Sequence, residues 1–255
     1  MNRRKFVLNS LVTAAAVAAS AKLAGAKTAL GAEAGKMRAT LSPRPLSAVS
    51  GFTFARLRYT SGNWDADPKM PSNLLNSLVE YTSIRVDPNE RIVDISSDQL
   101  SNYPFVYLTG NKMVRFTEKE RVNLRQYLRN GGFMFVDDCN HDIDGTFAKT
   151  FESEIKTVLD HPDEALRKLP QNHPLYNAFF EFKEGPPATS HELNGWGDDI
   201  VHDYLKAIEM DGRIAVLYSN KDYGCEWNYD WANKRFAVKD NTRFGVNIIV
   251  YALTH

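Results

Sequence analysis

Two cysteines in 255 residues, Cys139 and Cys225, are too few for a disulfide scaffold. An oxidising compartment permits one bond between them, and their spacing decides nothing about it. Beyond the first few residues no run of Lys and Arg marks a nucleic-acid surface, which excludes a nucleic-acid partner. No stretch supplies the roughly 20 consecutive apolar residues of a membrane-spanning helix. Internal repeats are absent, and so is low-complexity sequence beyond an alanine-rich run near the amino terminus. The rest has a globular composition, 43% hydrophobic and 24% charged, with enough length for one sizeable α/β core.

Arg3-Arg4-Lys5-Phe6-Val7-Leu8 leads into a weakly apolar segment ending near Ala21, the pattern of a twin-arginine export signal. Ala32-Glu33-Ala34 offers a small-x-small cleavage site before Gly35, and Ala24-Gly25-Ala26 an alternative. The expected organisation is a signal at 1–34, a linker at 35–50 containing Pro43-Arg44-Pro45, and a single α/β domain at 51–255. The expected location is periplasmic or otherwise extracytoplasmic, with no stable membrane span after cleavage. The formal net charge of zero conceals an asymmetry: residues 1–34 carry five of the 31 basic side chains and one of the 31 acidic ones, so the mature chain is mildly acidic.

The stretch Gly131–Asp144, GGFMFVDDCNHDID, organises the rest. Phe133 to Val136 are too few for a helix and lack the alternation of a half-exposed strand, so they predict a covered strand of a parallel sheet. Ahead of it, Thr117 and Glu120 have capping-box spacing, Val122, Leu124, Tyr127 and Leu128 supply a buried face, and Gly131 stands where a left-handed cap belongs. Further strands are expected at Phe52–Tyr59, Ile84–Val86, Ile92–Ile95, Phe105–Leu108 and Ile214–Tyr218. Helices are expected after Pro71, from Phe147 to Leu159, and from Phe244 to Leu253. Residues 162–195 give no clear pattern beyond a short helix and an aromatic plug.

If the strands are parallel, the loops after Tyr59, Leu108, Val136 and Tyr218 open on one rim, where ligands bind in open α/β sheets. That rim collects candidate ligand-binding residues Trp64, Asp65, Asp67, Asn111, Asp138, His141, Asp222, Tyr223 and Glu226, with Trp231 nearby. Asp137, Asp138 and His141 are the candidate catalytic groups, because clustered acids divide acid and base roles. Asp138, His141 and Asp142 are the candidate ligands of a divalent cation. Asp137 or Asp144 can equally cap the following helix. Asn140-x-Asp142-x-Asp144-Gly145 opens like a calcium loop, but its twelfth position is Phe151. His191-Glu192 with His202 is too widely spaced for the metalloprotease pattern. Cys139 lacks the small neighbours of a nucleophile elbow, and the acids around it disfavour a thiolate. The expected partner is a small polar ligand, a glycan-derived one among the candidates, or an envelope protein; the competing expectation is a carboxylate-dependent or metal-assisted hydrolase.

Three segments together resemble the bacterial domain-of-unknown-function family 4159: Phe54-Ala55-Arg56-Leu57-Arg58-Tyr59 followed by Gly62-Asn63-Trp64; Tyr127 through Asp138; and Gly212 through Ser219 with Asp222-Tyr223-Gly224-Cys225. The resemblance runs from about Phe52 to the carboxyl terminus. It implies a flavodoxin-like, class I glutamine-amidotransferase-like three-layer sandwich with a mainly parallel sheet. The Cys-His-Glu triad of amidotransferases is not recognisable here.

Overall fold

Period-two side-chain alternation decides the architecture. The computed structural model describes residues 51–139, 145–193, 201–228 and 239–255. Its strands are β1 (Ala55–Arg58), β2 (Arg91–Asp94), β3 (Phe105–Gly110), β4 (Phe133–Asp138), β5 (Arg167–Lys168), β6 (Lys206–Met210) and β7 (Arg213–Ser219). They form one seven-stranded sheet in the order β2-β1-β3-β4-β7-β6-β5. The pairs from β2 through β7 are parallel, while β6 and β5 extend the sheet antiparallel.

Every residue of β3 and β4 is buried, as a strand covered on both faces requires. Val106, Leu108, Met134 and Val136 join one core cluster with helices α2 (Glu118–Arg129) and α3 (Thr146–Leu159). Phe105, Tyr107, Phe133 and Phe135 join the other, with α1 (Met70–Tyr81), α5 (Tyr223–Asn228) and α6 (Lys239–Thr254). Helices therefore cover both faces, and each fully buried Leu or Phe contributes roughly 1.5–3 kcal/mol. A short helix, α4 (Ser190–Leu193), lies between α3 and α5 in the chain.

Local signals explain how α2 feeds β4. Thr117 N donates to Glu120 Oε2 at 2.7 Å and Glu120 N to Thr117 Oγ1 at 3.3 Å, a complete capping box. At the other end, Gly132 N reaches Tyr127 O and Gly131 N reaches Leu128 O, with Gly131 at φ 100°, a Schellman stop.

Three expectations need correction. Ile84–Val86 is not a strand; Val86 makes only an isolated bridge to Phe52. The Phe52–Tyr59 strand contracts to Ala55–Arg58. The region after α3, which gave no strand pattern, contributes β5, and β6 follows it; β6 is joined to β7 by Asp211-Gly212, both at positive φ, the hairpin turn that matches sheet twist.

The carboxyl ends of β1, β3, β4 and β7 share one edge. The strand order reverses between β1 and β3, and there Asn63 Nδ2 donates to Asn111 Oδ1 at 2.8 Å while Asn111 N donates to Asn63 Oδ1 at 3.1 Å. Such a reversal opens the crevice in which α/β sheets receive ligands.

Candidate functional site

Successive residues of β4 face opposite ways, so Asp137 and Asp138, both fully buried, build two different environments. On the α5 side the construction begins at Arg56. Its buried guanidinium donates to Glu90 Oε2 at 2.8 Å, Ala66 O at 2.5 Å and Asp67 O at 3.1 Å, clamping the loop after β1. Asp67 adopts φ 55° and is buried. Asp222 adopts φ 55° too, in the loop between β7 and α5. Non-glycine residues in the left-handed region are uncommon, and two of them here aim carboxylates at one point.

That point also receives both cysteines. Cys139 Sγ donates to Asp67 Oδ2 at 3.7 Å, Cys225 Sγ donates to Asp67 Oδ1 at 3.5 Å, and the sulfurs stand 4.0 Å apart. Both are free, half-buried thiols. Cys225 N donates to Asp222 Oδ1 at 3.3 Å, so the two residues are tied within one turn of chain.

Asp137 lies beneath. Its carboxylate accepts from Tyr223 N at 3.3 Å and Gly224 N at 2.5 Å, the first turn of α5. Asp137 does not cap the helix that follows it, the role expected from the sequence; its carboxylate instead takes first-turn N–H groups of a helix far along the chain. The following helix, α3, starts at Gly145 with no side-chain cap. Gly224 permits the convergence: a Cβ there would lie 2.6 Å from Tyr107 Oη, 2.9 Å from Asp67 Oδ2 and 3.1 Å from Asp137 Oδ2. Tyr107 is fully buried, and its hydroxyl makes no well-formed hydrogen bond among the described residues, since nearby Thr109 Oγ1 donates to Asp137 O.

The electrostatics follow from crowding acids away from water. Burial, reinforced by Asp222, raises Asp67 from its ordinary 3.8 to about 6. Burial, then Asp222, holds Asp137 well above the carboxylate range. Tyr107 is raised by burial, then by Asp137 and Asp67. For Cys139, the hydrogen bond from Cys225 favours the thiolate, but burial and the surrounding carboxylates outweigh it and the thiol is raised. Cys225 is raised by its bond to Cys139 and by burial. Neither sulfur is a poised nucleophile. A cation entering the cluster would reverse that logic, because it stabilises thiolates and carboxylates together.

On the α3 side, Tyr218 Oη donates to Asp138 Oδ2 at 3.1 Å. Beside them is a cavity of about 290 Å³ lined by Lys149, Glu152, His202, Lys206 and Tyr218 among others. Lys206 Nζ is 3.7 Å from Glu152 Oε2, and burial lowers the basicity of His202.

The remaining rim candidates divide. Trp64 is half-buried with Arg58 5.8 Å over its ring and packs toward the α2–α3 core; Asp65 is exposed, and Asn111 is engaged with Asn63. Tyr223 and Glu226 face inward: Tyr223 Oη donates to Pro187 O at 2.6 Å, and Glu226 Oε1 accepts from Ser190 N at 2.6 Å and from Ser190 Oγ. They serve the interior, because α5 turns them away from the edge. His141 and Asp142, with Asn140, Asp144 and Trp231, lie outside the described residues. Sequence reasoning set Cys139 and Cys225 aside as nucleophiles without weighing them as ligands, and it took Tyr107 as plain core. The available signal was that both cysteines follow strands that become neighbours.

Residues 53–253 match a family described as domain of unknown function (DUF4159). The chain belongs to the DUF4159 family. A search of curated proteins found no match. The DUF4159 match takes in β1 through nearly all of α6, hence both sides of the carboxyl edge. Among the described residues, no helix of this DUF4159 chain is long and apolar enough to cross a membrane.

Proposed function

We propose that this is an exported binding domain that takes a small polar ligand at the carboxyl edge of its sheet, in the cavity between α3 and the β6–β7 hairpin. The observation that carries it is the cavity itself, polar-lined and opening beside the carboxyl end of β7, where Tyr218 pairs with Lys206. Lys149, Lys206 and His202 suit an acidic group, while Glu152 and the Tyr218 hydroxyl suit hydroxyls or amines. A sugar acid or amino sugar has both. The strand order, parallel through β7 with helices on both faces, supports a flavodoxin-like, glutamine-amidotransferase-like classification, with the β6–β5 extension as a local addition. The Arg3-Arg4 segment supports twin-arginine export to an extracytoplasmic compartment.

Calorimetric titration of the mature chain with N-acetylmuramic acid, N-acetylglucosamine and their oligomers tests this. Saturable binding lost in Lys206→Ala and weakened in Tyr218→Phe is expected. Binding that ignores both substitutions would move the ligand elsewhere.

A second reading rests on Asp67, which is raised to about 6, the range of a general acid–base group. It makes the protein a hydrolase acting from the α5 side. Turnover of glycoside, ester or amide substrates that disappears in Asp67→Asn while the fold survives would favour it.

A further inference from the structure

We infer that Asp67, Cys139, Asp222 and Cys225 form a binding site for a divalent cation of the zinc class, which ties together the loops after β1, β4 and β7. One ligand atom from each lies within 4.8 Å of all the others. A tetrahedral zinc ion, with Zn–S near 2.3 Å and Zn–O near 2.0 Å, places sulfurs about 3.8 Å apart and a sulfur and an oxygen about 3.5 Å apart. The sulfurs stand 4.0 Å apart, Cys225 Sγ is 3.5 Å from Asp67 Oδ1, and Cys139 Sγ is 3.7 Å from the other oxygen, Asp67 Oδ2.

Charge points the same way. Among the described residues neither Asp67 nor Asp137 forms an ion pair, and Arg56, the nearest cation acting on Asp67, is directed at Glu90 and backbone carbonyls. Protons on the acids and thiols satisfy such a cluster poorly, and a divalent ion satisfies it directly. Two sulfur ligands favour zinc over calcium or magnesium, which take oxygen.

An independent observation is Tyr107. Its buried hydroxyl, which has no hydrogen-bond partner among the described residues, lies on the cluster side of Gly224: the point a Cβ there would occupy is 2.6 Å from Tyr107 Oη, 2.9 Å from Asp67 Oδ2 and 3.1 Å from Asp137 Oδ2. When the cation removes the thiol protons that Asp67 now accepts, a carboxylate acceptor is freed in the neighbourhood of this unpartnered phenol, the kind of group that orients a ligand from outside the ligand set. The Cys225 N–H performs the same service for Asp222. Binding forms two metal–sulfur bonds and releases the two thiol protons to solvent, with no change of oxidation state.

The metal-stripped mature chain, kept reduced and titrated with cobalt(II) alone, tests the site. The expected result is one equivalent bound, with a sulfur-to-cobalt band in the near ultraviolet, strong visible bands of four-coordinate cobalt, and their loss on adding zinc. Cys139→Ser and Cys225→Ser should each remove about half of the near-ultraviolet band, and the double variant all of it, as a two-thiolate site requires. Asp222→Asn should weaken cobalt binding tenfold or more, while Glu164→Gln, on an exposed ion pair, changes nothing. Folded wild-type protein with no near-ultraviolet band, or a band surviving in the double variant, would overturn the inference. So would protein recovered from its own compartment with a Cys139–Cys225 disulfide and no zinc. The α3-side cavity enters none of these readouts, so failure of the sugar titration leaves them unaffected.

Discussion

Glu192 and Asp67 are both anchored near the carboxyl edge of the sheet, yet their surroundings are opposite in kind. Glu192 accepts Lys221 Nζ at 2.5 Å together with Thr189 N and Oγ1, and Lys221 Nζ also donates to His202 O. Every strong acceptor there has a donor and the charge is cancelled. Asp67 meets two thiols that hold their protons and two further carboxylates. The first arrangement is complete as folded. The second becomes complete when a cation enters, and that difference separates a structural ion pair from a functional cluster.

The contrast is sharpest if one cation is deleted from the completed side. Lys221→Ala leaves Glu192 facing a mostly buried gap, and breaking such a pair should cost about 3–5 kcal/mol in denaturant unfolding. Lys221 is itself made less basic by burial, so replacing it with Met while Glu192 becomes Gln should recover much of that loss.

On the acid-rich side the sign reverses. The folded pKa of Asp67 exceeds its ordinary 3.8, so between about 4 and 6 the folded state holds more protons than the unfolded one. In chelated protein, the Asp67 contribution therefore falls as pH rises through that window, by on the order of 3 kcal/mol for a shift of this size. Unfolding of wild type and Asp67→Asn compared from pH 4 to 8 isolates it. The wild type should lose stability relative to the variant with rising pH, and a constant difference would remove the electrostatic part of the contrast.

A smaller effect is expected from Gly224→Ala. The added methyl meets Tyr107 Oη, Asp67 Oδ2 and Asp137 Oδ2, and overpacking of this kind costs about 1–3 kcal/mol. The same substitution in the β6–β7 turn, Gly212→Ala, meets nothing within 4 Å, and its penalty comes only from φ 77°. Equal losses with unchanged cobalt binding would show that Gly224 is not placed for the cluster. The least change should follow Arg58→Ala, because its pairing with Asp94 is solvent-exposed; an unaltered unfolding midpoint is expected.

Much of the frame was legible because it is written locally. Thr117 and Glu120, the glycines at 131 and 132, and the unbroken apolar run from Phe133 each encode their own geometry within a few residues. Parallel crossovers then place the loops after β1, β3, β4 and β7 on one edge, which made Asp67 and Asp222 candidates in advance. The antiparallel addition was not legible: β5 is two exposed residues, and only the Asp211-Gly212 turn marked β6. The division of the edge into two chemistries depends on pleat parity at Asp137 and Asp138 and on the adjacency of β4 and β7. Neither is a property of any short segment. Tyr223 and Glu226 were placed at the rim for the same reason, since nothing local shows that α5 turns them inward.

The central claim, that the Asp67–Cys139–Asp222–Cys225 cluster is finished by a soft or borderline cation, is tested most directly by thermal unfolding of the reduced, chelator-stripped protein with zinc, calcium, magnesium or manganese added singly. Zinc at about a hundred times its dissociation constant should add roughly 2.7 kcal/mol and raise the midpoint by at least about 5 °C, while calcium and magnesium leave it in place. A rise with calcium or magnesium and none with zinc would contradict the account, because oxygen ligands alone would then be holding the ion.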